Sequence, residues 1–276
     1  MADVDLCQFQ YSEKVHLGVN AMRIVSIVLI ATSLYLTNFH NAYASSEKDI
    51  STALASPARS QLDVKRDLRD KPELVLELAG FKKGMVIADV FGGGGYYSEI
   101  LSKVVGKNGS VLLINNAPYD AYAKKDLAVR LANNRLANVQ YSVVPPEKLG
   151  LANNSLDGAL IVMSYHDLFY ADDEGGWPAI DNVQFMGQIV KALKPGARLL
   201  IVDHHAKADS GFVDAKALHR IDEQFVITNL RAQGLQWVGS IDVLRNNNDD
   251  HNKTVFDPTI KGRTDRFVHV YEKPKQ

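Results

Sequence analysis

The chain has 276 residues, 46% of them hydrophobic, with 31 Lys and Arg against 32 Asp and Glu and a formal charge of −1. A near-neutral chain with no basic block offers no electrostatic footprint for nucleic acid, and its length allows a core that holds without cross-links. The single cysteine, Cys7, excludes an intrachain disulfide.

In chain order, Ile24 to Leu36 is an apolar run behind Met22-Arg23, and Ala42-Tyr43-Ala44 follows. These are the charged, apolar and A-x-A parts of a secretory signal. Residues 1–44 are therefore expected to be an N-terminal extension and signal peptide cleaved after Ala44, giving a periplasmic or secreted protein. The run is short of the roughly 20 apolar residues that a membrane helix needs, so no membrane span is expected in the mature chain. Cleavage also removes Cys7 and leaves a formally neutral chain.

Pro57 to Gly80 reads as two helical pieces broken near Asp70-Lys71-Pro72, because Pro72 suits a first helical turn and disfavours helix before it. Residues 45–84 are thus a helical extension in front of a domain over 85–276. Within that domain "GMVIADV" is a short buried strand, Tyr96 to Val105 a helix, "GSVLLIN" a strand and Ala121 to Asn134 a helix. "NVQYSVV", "SLDGALIVMS" and "ARLLIVD" supply further strands, with helix around Asp181 to Leu193 between the last two. Alternating strands and helices predict a parallel sheet covered on both faces. Ala215 to Ala232 reads as one amphipathic helix ended by Gly234. "LQWVGSIDVL" and "TDRFVHVYEK" then read as an antiparallel hairpin, having no helix between them.

The run Asp89-Val90-Phe91-Gly92-Gly93-Gly94-Gly95 lies between the first strand and its helix. Glycines let backbone N–H groups approach a ligand closely, and the helix start carries about half a positive charge that favours an anion. A nicotinamide site is disfavoured, since "GGGGYYS" has Tyr or Ser where G-x-G-x-x-G needs its last glycine.

Five parallel units closed by a hairpin resemble the class I methyltransferase fold: Rossmann-like α/β, a mostly parallel seven-stranded sheet with helices on both faces. "RDLRDKPELVLELAGFKKGMVIADVFGGGGYYSEIL", "MSYHDL", "LKPGARLLIVDHH", "HRIDEQFV" and the ending with "GRTDRF" resemble a bacterial family of predicted methyltransferases, many with export signals. The resemblance covers nearly all of residues 57–276 and implies S-adenosylmethionine as cofactor. Its expected contacts are Asp89, Phe91, Gly92, Gly93, Gly94, Gly95, Tyr97, Asn115, Glu147 and Ser164. Phe91 stands where the superfamily usually has Gly, and Asn115 stands where it has the acid that holds the ribose hydroxyls.

Ligands in this architecture meet at the carboxyl ends of the strands. There the sequence places Tyr165-His166-Asp167 after strand four and Asp203-His204-His205 after strand five. A methyl acceptor of oxygen or nitrogen type must lose a proton, and histidine suits that task near neutral pH. His166 is expected to be the base, oriented by Asp167, with His204 or His205 lining the acceptor side. His219, Asp222 and Glu223 share a face of the predicted helix. With His166, Asp167, Asp203 and His205 they offer imidazole and carboxylate to a metal, although no tight metal motif is present and no metal is assigned. Asp249-Asp250-His251 reads as solvated turn chemistry, Arg263-Thr264-Asp265-Arg266 as structural ion pairs, and Trp177 as a loop anchor or lid tip.

The reading is an exported S-adenosylmethionine-dependent methyltransferase acting on a small oxygen or nitrogen nucleophile. An exported enzyme is separated from a cofactor made inside the cell. One alternative is therefore a binding module that holds an adenosyl or small anionic ligand without turnover. The other is a metal-assisted hydrolase or lyase using the His and Asp cluster.

Overall fold

The computed structural model describes residues 47–275, so the signal segment and its cleavage point lie outside the described residues. A helix at 47–54 (α1) precedes α2, Gln61–Asp70, and α3, Pro72–Ala79. Ser60 caps α2 by accepting the Asp63 N–H at 3.1 Å. Lys71 then stops the helix in the left-handed region at φ 43°. Pro72 opens α3, where its missing N–H is one that a helix start leaves unpaired.

The seven strands are β1 Val86–Val90, β2 Ser110–Asn115, β3 Val139–Val143, β4 Leu156–Val162, β5 Leu193–His204, β6 Gln236–Ser240 and β7 Arg266–Glu272. They form one sheet in the order β3-β2-β1-β4-β5-β7-β6. β1 to β5 pair in parallel, while β7 runs antiparallel between β5 and β6. The strand order therefore reverses beside β1, with β2 on one flank and β4 on the other. The crevice outside that reversal is where an open α/β sheet takes its ligands.

Two-residue alternation sends the strand side chains into separate cores. Ala88, Val90, Ile161, Leu199 and Ile201 face one side, where α6 (Asn182–Ala192) brings Phe185, Met186 and Ile189 and α8 (Glu223–Ala232) brings Val226 and Leu230. Ile87, Val111, Leu160, Leu200 and Val202 face the other, with Val75 and Leu76 of α3 and Ile100, Leu101 and Val104 of α4 (Tyr96–Val105). Burying each such Leu, Ile or Val contributes roughly 1.5–3 kcal/mol. Among the described residues no helix is long and apolar enough to cross a membrane.

Three elements differ from the sequence expectation. Helix α5 is Ala117–Arg130 and begins earlier than Ala121, because Asn116 caps it by accepting the Tyr119 N–H at 3.0 Å. β5 begins at Leu193 and is longer than "ARLLIVD". The single helix expected over Ala215 to Ala232 is two, α7 (Ala215–Leu218) and α8. His219 turns left-handed at φ 55°, and Ile221 then pairs with β5's continuation: its N–H donates to His204 O, and the Ala206 N–H donates back to Ile221 O, both at 3.0 Å. His219, Asp222 and Glu223 therefore do not share a helix face, and Asp222 is the cap of α8.

Candidate active site at the carboxyl edge of the sheet

The glycine run follows β1 as a turn whose inner side is closed. A Cβ built on Gly92 would stand 2.5 Å from the Asp89 carboxyl carbon and from Leu113, so only glycine fits. Gly93 lies at φ 55°, and a Cβ there would meet nothing within 4 Å. Its backbone faces open space. Two side chains from distant segments hold the turn. The Gly93 N–H donates to Asn115 Oδ1 at 3.0 Å, and Asn115 Nδ2 donates back to Gly93 O at 3.1 Å. From α5, Arg130 Nε donates to Gly94 O at 2.5 Å, while its guanidinium pairs with Asp63 of α2 and Glu99 of α4. Helix α4 starts after Gly95, which has no side chain to cap it; the Ser98 N–H is taken by the Asp89 carboxyl, and the N–H groups of Tyr96 and Tyr97 ahead of it are those an anion would meet.

The expected cofactor contacts fall into distinct places. Gly92, Gly93, Gly94 and Gly95 form the turn, and Asp89 lies beneath it, fully desolvated and accepting the Ser98 hydroxyl at 2.6 Å. Burial pushes the Asp89 carboxyl up to about 6, against the hydrogen bond from Ser98 and the charges of Arg66 and Arg130. Phe91 is buried and stacks on Tyr119 with ring centroids 4.8 Å apart. Tyr97 is buried in the α4 core rather than at the edge of the turn. Ser164 is buried after β4, and Glu147 is exposed on the loop after β3. Asn115 has no exposed surface and commits both ends of its amide to Gly93. As placed it props the loop and does not reach a ribose.

A second group gathers where β4 and β5 end. Asp203 has no exposed surface and accepts the His166 N–H at 2.8 Å, the His204 N–H at 2.7 Å and, through Oδ1, His166 Nδ1 at 2.8 Å. His166 Nε2 faces Asp167 Oδ1 at 3.2 Å and His219 Nδ1 at 3.3 Å. Burial alone would lower the His166 pKa, but the charges and hydrogen bonds of Asp203 and Asp167 hold it well above the usual value. An imidazole kept charged cannot take a proton, which removes the expectation that His166 is the base. Asp167 in turn lies well below the usual carboxylate range: burial opposes this, and His166, His219 and Tyr119 outweigh it. The Tyr119 hydroxyl donates to Asp167 Oδ2, and burial beside that carboxylate keeps the phenol protonated.

His204 is the opposite case. Burial, then the charges of His166, Arg266 and Arg220, depress its pKa well below the usual value, so the ring is neutral. Its Nδ1 bonds Thr264 Oγ1 at 2.8 Å, and with Nδ1–H donating to that hydroxyl, Nε2 carries the lone pair.

His205 points elsewhere. Its ring lies 5.0 Å from that of His251, which bonds Asp265 at 3.1 Å, and its buried Nδ1 has no partner. The expectation that His205 lines the same side as His166 fails because consecutive residues beyond β5 diverge. Asp249 is likewise no solvated turn residue: it is buried and takes both oxygens to Arg220 Nη2, at 3.0 and 2.9 Å. The "GRTDRF" ending makes structural contacts with a consequence for the site, since Thr264 fixes His204 and Arg266 pairs with Asp70 of α2 at 2.9 Å.

A series of aromatic contacts connects the two groups, from Phe91 of the turn to His219 of the cluster. Tyr119 meets Trp177 edge-on at 5.4 Å, Trp177 meets Tyr170 at 5.8 Å, and Tyr170 stacks on His219 at 5.1 Å. Trp177 is tied down by two hydrogen bonds of 2.8 Å with the Asp172 backbone, as an anchored turn and not a loose tip. Tyr119 and Arg130 escaped sequence reading. The Asn116-Ala117-Pro118 start signal does place Tyr119 one turn past the end of β2, whereas nothing local marks Arg130.

No protein-family model matches the chain. The ubiquinone/menaquinone biosynthesis C-methyltransferase UbiE of Hydrogenovibrio crunogenus is 27% identical over 129 residues, 46% of this chain and 45% of the relative. The protein of the same name from Stutzerimonas stutzeri is 28% identical over 129 residues. The chain spans about half the length of these relatives. Among solved structures, a SAM dependent methyltransferase from Aquifex aeolicus superposes with a TM-score of 0.54 at 23% identity, covering 82% of this chain and 98% of that one. The fold is that of the class I methyltransferases. The [4+2]-cyclase SpnF shares it, with a TM-score of 0.56 at 17% identity over 80% of this chain and 86% of its own, so the architecture alone does not specify a reaction. The open space beside the Gly93 Cα and the start of α4 fit the carboxylate end of S-adenosylmethionine.

Proposed function

We propose that the chain transfers a methyl group from S-adenosylmethionine to a small oxygen or nitrogen nucleophile held where β4 and β5 end. The carrying observation is a pre-formed glycine turn at the strand-order reversal together with, at the end of β5, a neutral imidazole whose Nε2 has no hydrogen bond among the described residues. When bound, the cofactor supplies an electrophilic methyl on a sulfonium. The start of α4 takes its carboxylate in the open space beside Gly93, whose own N–H and C=O stay with Asn115, while Asn115 and Arg130 keep the turn in shape. His204 accepts the proton of the acceptor at Nε2, Thr264 fixing the ring through Nδ1. Phe91 stacks on Tyr119 and Tyr119 meets Trp177, an apolar flank beside the turn that limits water near the transferred methyl.

Calorimetry with S-adenosylmethionine and S-adenosylhomocysteine tests the cradle, and turnover against a panel of phenols and amines tests the chemistry. Micromolar binding and a loss of at least ~100-fold in kcat for His204→Ala, with binding retained, are expected. Absence of binding at millimolar cofactor would refute the reading.

The chain is further proposed to belong to the bacterial exported family of predicted methyltransferases that "GRTDRF" resembles, and to reach the periplasm or the medium. The apolar run before Ala42-Tyr43-Ala44 supports this. Mass analysis of the protein from fractionated cells should give a chain beginning at Ser45; an intact, cytoplasmic chain would contradict it.

A further inference from the structure

We propose that His166, Asp167 and His219 form a binding site for one divalent transition metal ion of the Zn2+ type. This goes beyond the methyl-transfer reading, because binding of the ion does not depend on it. The donor atoms form a triangle: His166 Nε2 to Asp167 Oδ1 is 3.2 Å, His166 Nε2 to His219 Nδ1 is 3.3 Å, and His219 Nδ1 to Asp167 Oδ1 is 3.7 Å. Ligands bound tetrahedrally at about 2.0–2.2 Å stand about 3.3–3.6 Å apart. One edge of the triangle falls in this range and the other two lie just outside it, at 3.2 and 3.7 Å, before any ion is considered. Two imidazoles and a carboxylate suit ions of borderline softness, and three protein donors leave a position for water or substrate. The ion takes the place of the proton on His166 Nε2, which is released to solvent on binding.

The surroundings of each donor carry the inference further. His166 gives Nδ1 to Asp203 at 2.8 Å, the carboxylate partner that orients a metal-binding imidazole and raises its basicity. Asp167 has Oδ2 occupied by the Tyr119 hydroxyl, which turns Oδ1 toward the two rings. His219 reaches the cluster only because its backbone is left-handed at φ 55°, a conformation costly for a residue with a Cβ. The adjacent Arg220, fully buried and locked on Asp249, over-determines that turn, and Tyr170 and Phe256 flank the ring at 5.1 and 4.8 Å. Strain held in place by a dedicated buried pair at a convergence of donors is a mark of a functional site. If the methyl-transfer reading also holds, the free position would take the oxygen or nitrogen of the acceptor.

The test is calorimetric titration of the chelator-treated full chain with Zn2+, followed by Co2+ and its visible ligand-field absorption. One ion per chain is expected. His219→Gly keeps the left-handed backbone without steric cost and should weaken binding at least ~100-fold, while Asp203→Asn should weaken it about 10- to 100-fold. His205→Ala, in the other histidine cluster, should leave it unchanged. Melting curves of the metal-free variants report whether each is folded. No stoichiometric ion in the unaltered chain, or equal affinity in a folded His219→Gly chain, overturns the proposal. Titrating the metal-free chain with S-adenosylmethionine separates the two readings: failure there sinks methyl transfer and leaves the metal site standing.

Discussion

The two halves of the carboxyl edge are built from different materials. The turn after β1 presents backbone, and its side chains (Asn115, Arg130, Asp89) act from beneath or behind. The ends of β4 and β5 present side chains, and their backbone is support. A backbone site is insensitive to pH and depends on the absence of Cβ atoms. A side-chain site depends on a balance of buried charges that distant loops maintain.

That contrast is sharpest at the loop supporting the side-chain half. Arg220 and Asp249 each have no exposed side-chain surface, and removing one partner of such a pair costs about 3–5 kcal/mol. Arg220→Ala should therefore give the largest loss of melting temperature, together with loss of order around His219 and His251 in NMR spectra. A melting temperature within a degree or so of the parent would mean that this half stands without its prop.

In the backbone half, Gly92→Ala forces a Cβ to 2.5 Å from Asp89 and Leu113 and should cost about 3 kcal/mol, the upper part of the overpacking range. Gly93→Ala meets no atom but must keep φ 55°, at about 1–2 kcal/mol. The first should act on stability and the second more on cofactor affinity. Equal effects on both measurements would show that the inner and outer sides of the turn are not distinct.

Asp89 makes the backbone half sensitive to pH in one respect. Its carboxyl is raised to about 6 in the fold from the usual 3.8 of a free aspartate, so as pH rises the unfolded chain loses this proton first. Stability should fall as pH rises from about 4 to 6 and level off above. Asp89→Asn should remove that fall and stabilise the chain at pH 7 by about 3 kcal/mol, with no gain near pH 3.5. A gain that is independent of pH would contradict a buried, raised carboxyl.

The smallest effect is the least intuitive. Asn115→Asp restores the acid usual in the superfamily, yet it exchanges a donor to Gly93 O for a carboxylate oxygen facing that carbonyl. Cofactor affinity should drop by fivefold to tenfold, about 1 kcal/mol. Tighter binding would show that position 115 reaches the ribose after all.

Legibility in the sequence followed the same division. The strands and α4 could be read because apolar runs and glycines act locally, and the glycine run has few alternative uses. The cluster at β4 and β5 was legible as to neighbourhood, since topology alone brings those strand ends together. Its roles were not. Whether an imidazole is charged depends on Asp203 and Asp167 for His166 and on Arg266 and Arg220 for His204, contacts made across the fold. The break at His219 was hidden because "AKALHRIDEQFVITNLRA" keeps a helical pattern throughout. What breaks it is Ile221 pairing beside β5 and Arg220 finding Asp249, and neither partner is near in sequence.

The Arg266–Asp70 pair joins residues 196 positions apart. Helix α2, which also braces the glycine turn through Asp63 and Arg130, therefore waits for the last strand before it reaches its final setting. A contact across so long a separation forms only after both of its segments have been synthesised, so the front of the domain is locked by its back.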